Sequence, residues 1–266
     1  MTPTATKNAL LYKNLHSHPA ALITSVSGIH LTTSDGRKII DATSGPAVAC
    51  LGYDDKDVQQ AIIDQLKTVP YCHPGFYKTQ AADDLANFLV ESTNGQMSKA
   101  VLCGTGSTPP KATPPSAQNT AAGLRVQRVI EERGLVAHAK EVGGYLGRRL
   151  REVLMGHPYV GDVRGRGLFW AVEFVVDKGS KMPFPASLEV HAKLHARGMQ
   201  RGYEVALFNA AGGYDGYRGG HFLVCPPFIV TRADVDEIVE RTVRVVEDTF
   251  CRAGWVAGVG EDCLSG

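Results

Sequence analysis

The chain has 266 residues, with 28 Lys and Arg against 27 Asp and Glu, a net charge of +1 and 44% hydrophobic residues. These are the values of a globular chain; they exclude wholesale disorder, collagen-like repeats and a heptad rod, and the balanced charge gives no electrostatic reason to expect nucleic acid or a membrane surface. No stretch approaches the ~20 apolar residues of a membrane helix, and the polar start from Met1 to Lys7 has no apolar signal-peptide core, so a cytoplasmic protein is expected.

In chain order, β-branched runs at Leu22–Val26 and Gly28–Thr33, with the turn pair Asp35-Gly36 before Arg37–Asp41, predict a hairpin over 22–41. Gly45 and Gly52 bracket a small apolar loop. Asp54 and Asp55 can cap a helix carrying Val58, Ile62, Leu66 and Val69, stopped by Pro70. Thr79 opens a second helix with Ala82, Leu85, Phe88 and Leu89, and Ala100–Cys103 is a short strand candidate leading into Gly104-Thr105-Gly106-Ser107. The chain then changes character, with four prolines in the eight residues from Thr108 to Pro115. Proline lacks the amide donor and restrains its predecessor, so this stretch is a junction.

Beyond it, Ala121, Leu124 and Val129 mark a helix over 117–132, broken by Gly134, and Leu135, Val142, Leu146, Leu150 and Val153 mark a second. Strands are predicted at Val160–Val163 and Leu168–Val176, an amphipathic helix at Leu188–Arg201, and further strands at Tyr203–Phe208 and His221–Cys225, the last closed by Pro226-Pro227. Thr231 with Asp234 forms a capping signature for a final helix with Val235, Ile238, Thr242, Val246 and Phe250. This order predicts an α/β sandwich with mixed or antiparallel strands.

Several residue groups could carry chemistry, each beside a plainer reading. Glycines at 104–107 could bring backbone amides to a phosphate, but prolines rather than a helix follow, and such a run is commonly a plain loop. Thr43-Ser44-Gly45 could present hydroxyls to a ligand or be a tight turn. Cys72-His73 lacks a partnering Asp or Asn. His191 and His195 stand at i,i+4, yet without a third ligand they are better read as helix-surface histidines. Arg164 or Arg166 could clamp a carboxylate, or the stretch 162–167 could be a structural turn with an Asp-Arg bridge, which is the plainer reading. Six scattered cysteines without CxxC spacing predict reduced thiols, not a zinc site or disulfides.

Four stretches together resemble the class III (subgroup II) pyridoxal-phosphate-dependent aminotransferases. They are GIHLTTSDGRKIIDATSGPAVACLGYDDKDVQQAI at 28–62, VLCGTGS at 101–107, HPYVGDVRGRGLFWAVEFV at 157–175 and YDGYRGGHFLVCPPFIVTRADVDEIV at 214–239. The resemblance implies fold type I, with a large domain around a seven-stranded sheet and a small domain made from both chain ends. It also implies pyridoxal 5'-phosphate held on a lysine with an aspartate at the pyridinium nitrogen, and a dimer acting on amines and keto acids. Residue by residue, Thr105, Gly106 and Ser107 match the cofactor phosphate turn. Thr43, Ser44 and Gly45 match the loop bordering the substrate pocket, and the stretch from Arg218 to His221 matches the hairpin edge near the substrate.

The departure lies after Ser107. The family continues there into the body of the large domain, with its aspartate motif and catalytic lysine; this chain passes through TPPKATPP into a late helix. Lys99 and Lys111 flank the break without matching the motif, so no catalytic residue is carried over. The expected organisation is a segment 1–107 with the hairpin, the start of the large domain and the phosphate turn, a junction 108–115, a small domain 116–253 and a tail 254–266. The expected fold is α/β, the family's small domain plus N-terminal hairpin and helices without most of the large sheet. The expected function is that of an internally deleted, catalytically impaired aminotransferase; the alternative is a non-catalytic pseudoenzyme that dimerises with itself or with an intact paralogue.

Overall fold

The structure, a computed structural model, describes residues 21–73, 76–104, 116–211, 213 and 215–251. It begins with a meander of β1 (Ile23–Ser27), β2 (His30–Thr33) and β3 (Lys38–Asp41). The predicted Asp35-Gly36 turn joins β2 to β3. There Thr33 and Arg37 hydrogen-bond the Asp35 carboxylate and hold its pKa at about 2.

Three helices follow, α1 (Ser44–Ala47), α2 (Lys56–Thr68) and α3 (Gln80–Glu91). The predicted caps form: Asp55 accepts from the amides of Asp57 and Val58, and Thr79 accepts from Ala82. Next come α4 (Ala117–Glu132) and α5 (Leu135–Leu154), parted by Gly134 at φ 61°. The remainder runs β4 (Val160–Arg166), β5 (Phe169–Asp177), β6 (Met182–Pro183), α6 (Val190–Gly198), β7 (Val205–Ala206), β8 (Phe208–Ala211), β9 (Gly220–Val224) and α7 (Arg232–Cys251). The capping signature before α7 closes reciprocally, the Thr231 amide donating to the Asp234 carboxylate and the Asp234 amide to Thr231 Oγ1.

Two sheets organise these elements. One runs β4-β5-β9-β8, antiparallel throughout, with β6 beside β5. Helices α5, α6 and α7 lie against this half of the chain. Trp170, Val172 and Phe174 alternate inward from β5, and the Phe174 ring lies 5.4 Å from that of Phe250 on α7. Helix α5 approaches by backbone: a Cβ on Gly143 would fall 2.0 Å from the carbonyl carbon of Gly167, and one on Gly147 would fall 1.9 Å from the Trp170 ring. The Trp170 indole N–H donates to the Gly143 and Gly167 carbonyls, which locks that contact.

The other sheet runs β1-β2-β3-β7, and its last pairing is parallel, Ile40 opposite Val205 and Asp41 opposite Ala206. The N-terminal meander is therefore a strand-paired part of the C-terminal half. Ile39, Ile40, Val205 and Leu207 are fully buried, and the Arg37 guanidinium donates to the Met199 carbonyl.

The arm formed by α2 and α3 differs. Both helices pack on α4, yet α2 has no buried residue and α3 buries only Leu85. Leu66 and Val69 of the predicted stripe stay exposed, as does Ile63 beside it. Ion pairs from Arg133 to Asp55 and Asp57, and from Arg125 to Asp57, bind α2 to α4; surface pairs of this kind contribute little.

Three sequence expectations are corrected. Ala100–Cys103 forms no strand, and Val101 is 69% exposed; among the described residues no strand lies beside it to satisfy its backbone. The single strand expected over 203–208 is two: β7 turns to β3 and β8 turns to β9, with buried Leu207 between them. The small apolar loop after Gly45 includes the single turn of α1.

Candidate functional site

The most strongly constructed polar site lies where the chain ends meet. Asp41, at the end of β3, is 1% exposed. One carboxylate oxygen accepts from the Thr43 amide at 2.8 Å and the Thr43 hydroxyl at 2.6 Å; the other accepts from the Tyr53 hydroxyl. A buried carboxylate persists only when its lone pairs are filled in this way. Burial, together with the Asp41 charge, raises the Tyr53 pKa well above its usual value. The Cys225 thiol is pushed up to about 11 by burial and then by Asp41.

The Thr43–Gly45 loop is fastened on its other side. Ser44 adopts φ +50°, a costly conformation for a residue with a Cβ, and its hydroxyl donates to the Cys225 carbonyl at 2.7 Å. The Cys225 amide donates to the Ala42 carbonyl at 2.8 Å, and its thiol contacts the Thr43 carbonyl at 3.2 Å. Gly52 closes the loop at φ +74°, where a Cβ would meet the Gly28 carbonyl oxygen at 2.5 Å, so only glycine fits. The Asp41, Tyr53 and Cys225 partners were missed in the sequence. The available signal was an acid directly after the buried-looking Ile39-Ile40 pair, which needs a donor nearby.

The second predicted group lies at the other end of β9. Asp215 accepts from the amides of Arg218 and Tyr217 and from the Arg218 side chain at 2.7 Å, which holds its pKa at about 2. His221 pairs in register with Glu173 and Ala210. Its Nδ1 is buried and has no hydrogen-bond partner among the described residues, and burial lowers its pKa. Beside it Arg164 bridges Asp162 at 3.0 Å and also reaches Glu173; the expected Asp-Arg bridge therefore forms, but within strand β4 and across to β5 rather than in a turn, which begins only at Gly167.

Thr43–Gly45 and Arg218–His221 thus sit at opposite ends of one strand. Thr105, Gly106 and Ser107 lie outside the described residues, as does the 108–115 junction. Cys72 is half-buried, and the His73 ring lies 4.9 Å from Phe76. His195 is bonded through Nδ1 to the Leu207 carbonyl at 2.7 Å. Among the described residues no cluster of three or more metal-ligating side chains forms, and no helix is long and apolar enough to cross a membrane.

A lysine that carries a covalently bound aldehyde cofactor needs an enclosed, desolvating site that makes it nucleophilic. Every described lysine is exposed except Lys178, which is half-buried and donates to the Met155 and His157 carbonyls. The described lysines therefore do not fit that role.

Residues 11–113 match the family model described as Aminotransferase class-III. An uncharacterised aminotransferase of Schizosaccharomyces pombe is 41% identical over 128 residues, 48% of this chain and 28% of that protein. A diaminobutyrate–2-oxoglutarate transaminase of Halomonas elongata is 38% identical over 137 residues, 50% of this chain and 28% of that protein. The chain thus spans well under two thirds of these relatives. In fold it is similar to the omega transaminase of Pseudomonas jessenii in complex with PMP, with a TM-score of 0.71 at 16% identity over 89% of this chain and 94% of that one. It is also similar to a PMP-bound aminotransferase of Vibrio fluvialis, with a TM-score of 0.74 at 14% identity over 92% of this chain and 97% of that one. These are fold type I transaminases, and the mixed α/β arrangement of the present chain is a partial version of that fold.

Proposed function

We propose that the chain, whose residues 11–113 match the class III aminotransferase model, is an internally deleted aminotransferase unable to transfer amino groups on its own. The intact reaction class is amino-group transfer between a small amine or amino acid and a keto acid. The observation that supports impairment is that no described lysine is enclosed. Two further features agree with it: the loops expected to frame a substrate lie at opposite ends of β9, and among the described residues the sheets have four and five strands, with no seven-stranded sheet beside them. Pyridoxal phosphate supplies the electron sink in this family when bound.

The test is to add pyridoxal phosphate to the purified full chain, seek an aldimine absorbance band, reduce with borohydride and map the modified residue. Diffuse labelling or none supports the proposal. A single stoichiometric label on one lysine overturns it.

A second reading, a binding protein that pairs with an intact relative or with itself, is favoured by the α2 face, where Ile63, Leu66 and Val69 are exposed together. Co-expression with an intact relative should then give a stable heterodimer that Ile63→Asp with Leu66→Asp dissolves; separate elution of the two wild-type chains contradicts this reading.

A further inference from the structure

A groove of about 690 Å³ opens between the α4–α5 corner and the β4–β5 turn. Its walls are apolar: Ile130, Val136, Ala137, Ala139 and Phe228. Val136 is 71% exposed along it, so the groove offers hydrocarbon surface to water, which favours an occupant with an apolar body.

Its rim holds two cations, Lys140 on α5 and Arg166 at the end of β4. Both line the same groove. Their chain neighbours meet there: a Cβ on Gly167, which follows Arg166, would lie in ordinary contact, 3.7 Å, with the carbonyl oxygen of Ala139, which precedes Lys140. Among the described residues neither is ion-paired. Elsewhere on this surface arginines find carboxylates, Arg125 and Arg133 on Asp57 and Arg232 on Glu141. Glu131 also lines the groove but pairs with neither cation, which leaves the rim one positive charge in excess. The adjoining end of α5 adds to it: Gly134 makes no side-chain cap, and no acid stands in the first turn.

We propose that this groove binds a small amphipathic carboxylate, an alkanoate or arylalkanoate whose chain lies on Ile130, Val136 and Phe228 and whose carboxylate bridges Lys140 and Arg166. Two adjacent unpaired cations repel, and a carboxylate between them converts that repulsion into two charge-assisted hydrogen bonds. The inference does not depend on the aminotransferase reading, since no lysine chemistry is involved.

The probes are octanoate, octan-1-ol and octan-1-amine, titrated calorimetrically into the full chain at low and high salt. Saturable octanoate binding is expected, weakened by salt and absent for the amine. The exposed-site double variant Lys140→Gln with Arg166→Gln should keep the fold, checked by circular dichroism, and weaken octanoate about ten-fold or more. Equal binding of octanol and octanoate, no effect of the double variant, or no saturable binding overturns the proposal. So does sedimentation showing a homodimer that octanoate cannot dissociate and in which octanoate does not bind, because the groove would then be an interface between copies.

Discussion

The two regions of this molecule carry the same kind of apolar periodicity and receive different fates. In the unit built from the meander and the C-terminal half, Leu146, Leu150, Phe174, Phe222, Ile238 and Val246 are all essentially inaccessible to solvent. In the α2–α3 arm, with a comparable helical stripe, Leu85 is the buried residue. Amphipathic spacing shows that a helix has a face to bury; it does not supply the surface that buries it.

This contrast can be broken by mutation. Phe174→Ala should destabilise the chain by about 3–5 kcal/mol, read as a lower urea midpoint, because it opens a cavity among Phe222 and Phe250. Leu66→Ala in the arm, where the side chain is already exposed, should stay within about 0.5 kcal/mol of wild type. Equal losses at the two positions would mean that the arm is as tightly held as the unit. Asp41→Ala should cost about 2–4 kcal/mol, since it leaves the Tyr53 hydroxyl and the Thr43 amide without their acceptor. It should also detach the Thr43–Gly45 loop, seen as faster exchange of the Cys225 amide, which donates beside it.

A pH dependence sharpens the same boundary. Burial first, then Lys178, lowers the His157 pKa from 6.5 to about 4. The unfolded chain therefore binds the proton more readily than the folded one. Stability attributable to this group is complete above about 6.5 and is lost as pH falls toward 4. His157→Phe should flatten that acid-side slope in thermal melts.

The local parts of the fold were legible in the sequence because their causes are local. Asp55, Thr79, Thr231 with Asp234, and Gly134 set helix ends by bonding neighbours within a few residues. The antiparallel pairing of β4 with β5 follows from the short connection at Gly167-Leu168 and from alternation along β5. What was not legible depends on distant partners. The split of 203–208 is decided by β3, which captures Val205 and Ala206 from far upstream. The failure of 100–103 to become a strand goes with the lack, among the described residues, of a strand beside it to pair with. In the candidate site, Thr43, Ser44 and Gly45 could be marked as a loop of interest. Their fastening to Tyr53 and Cys225 could not be seen, because hydroxyls and a thiol acquire meaning only when the fold brings the chain ends together.

Residue-resolved native-state hydrogen exchange tests most directly whether the molecule is a firmly packed unit bearing a loosely held arm. Amides of α5, β5 and α7 should exchange only through global unfolding, while those of α2 and α3 should exchange through a much smaller opening that leaves the unit folded. Equal protection of α2 and α5, lost together at one denaturant concentration, would contradict it.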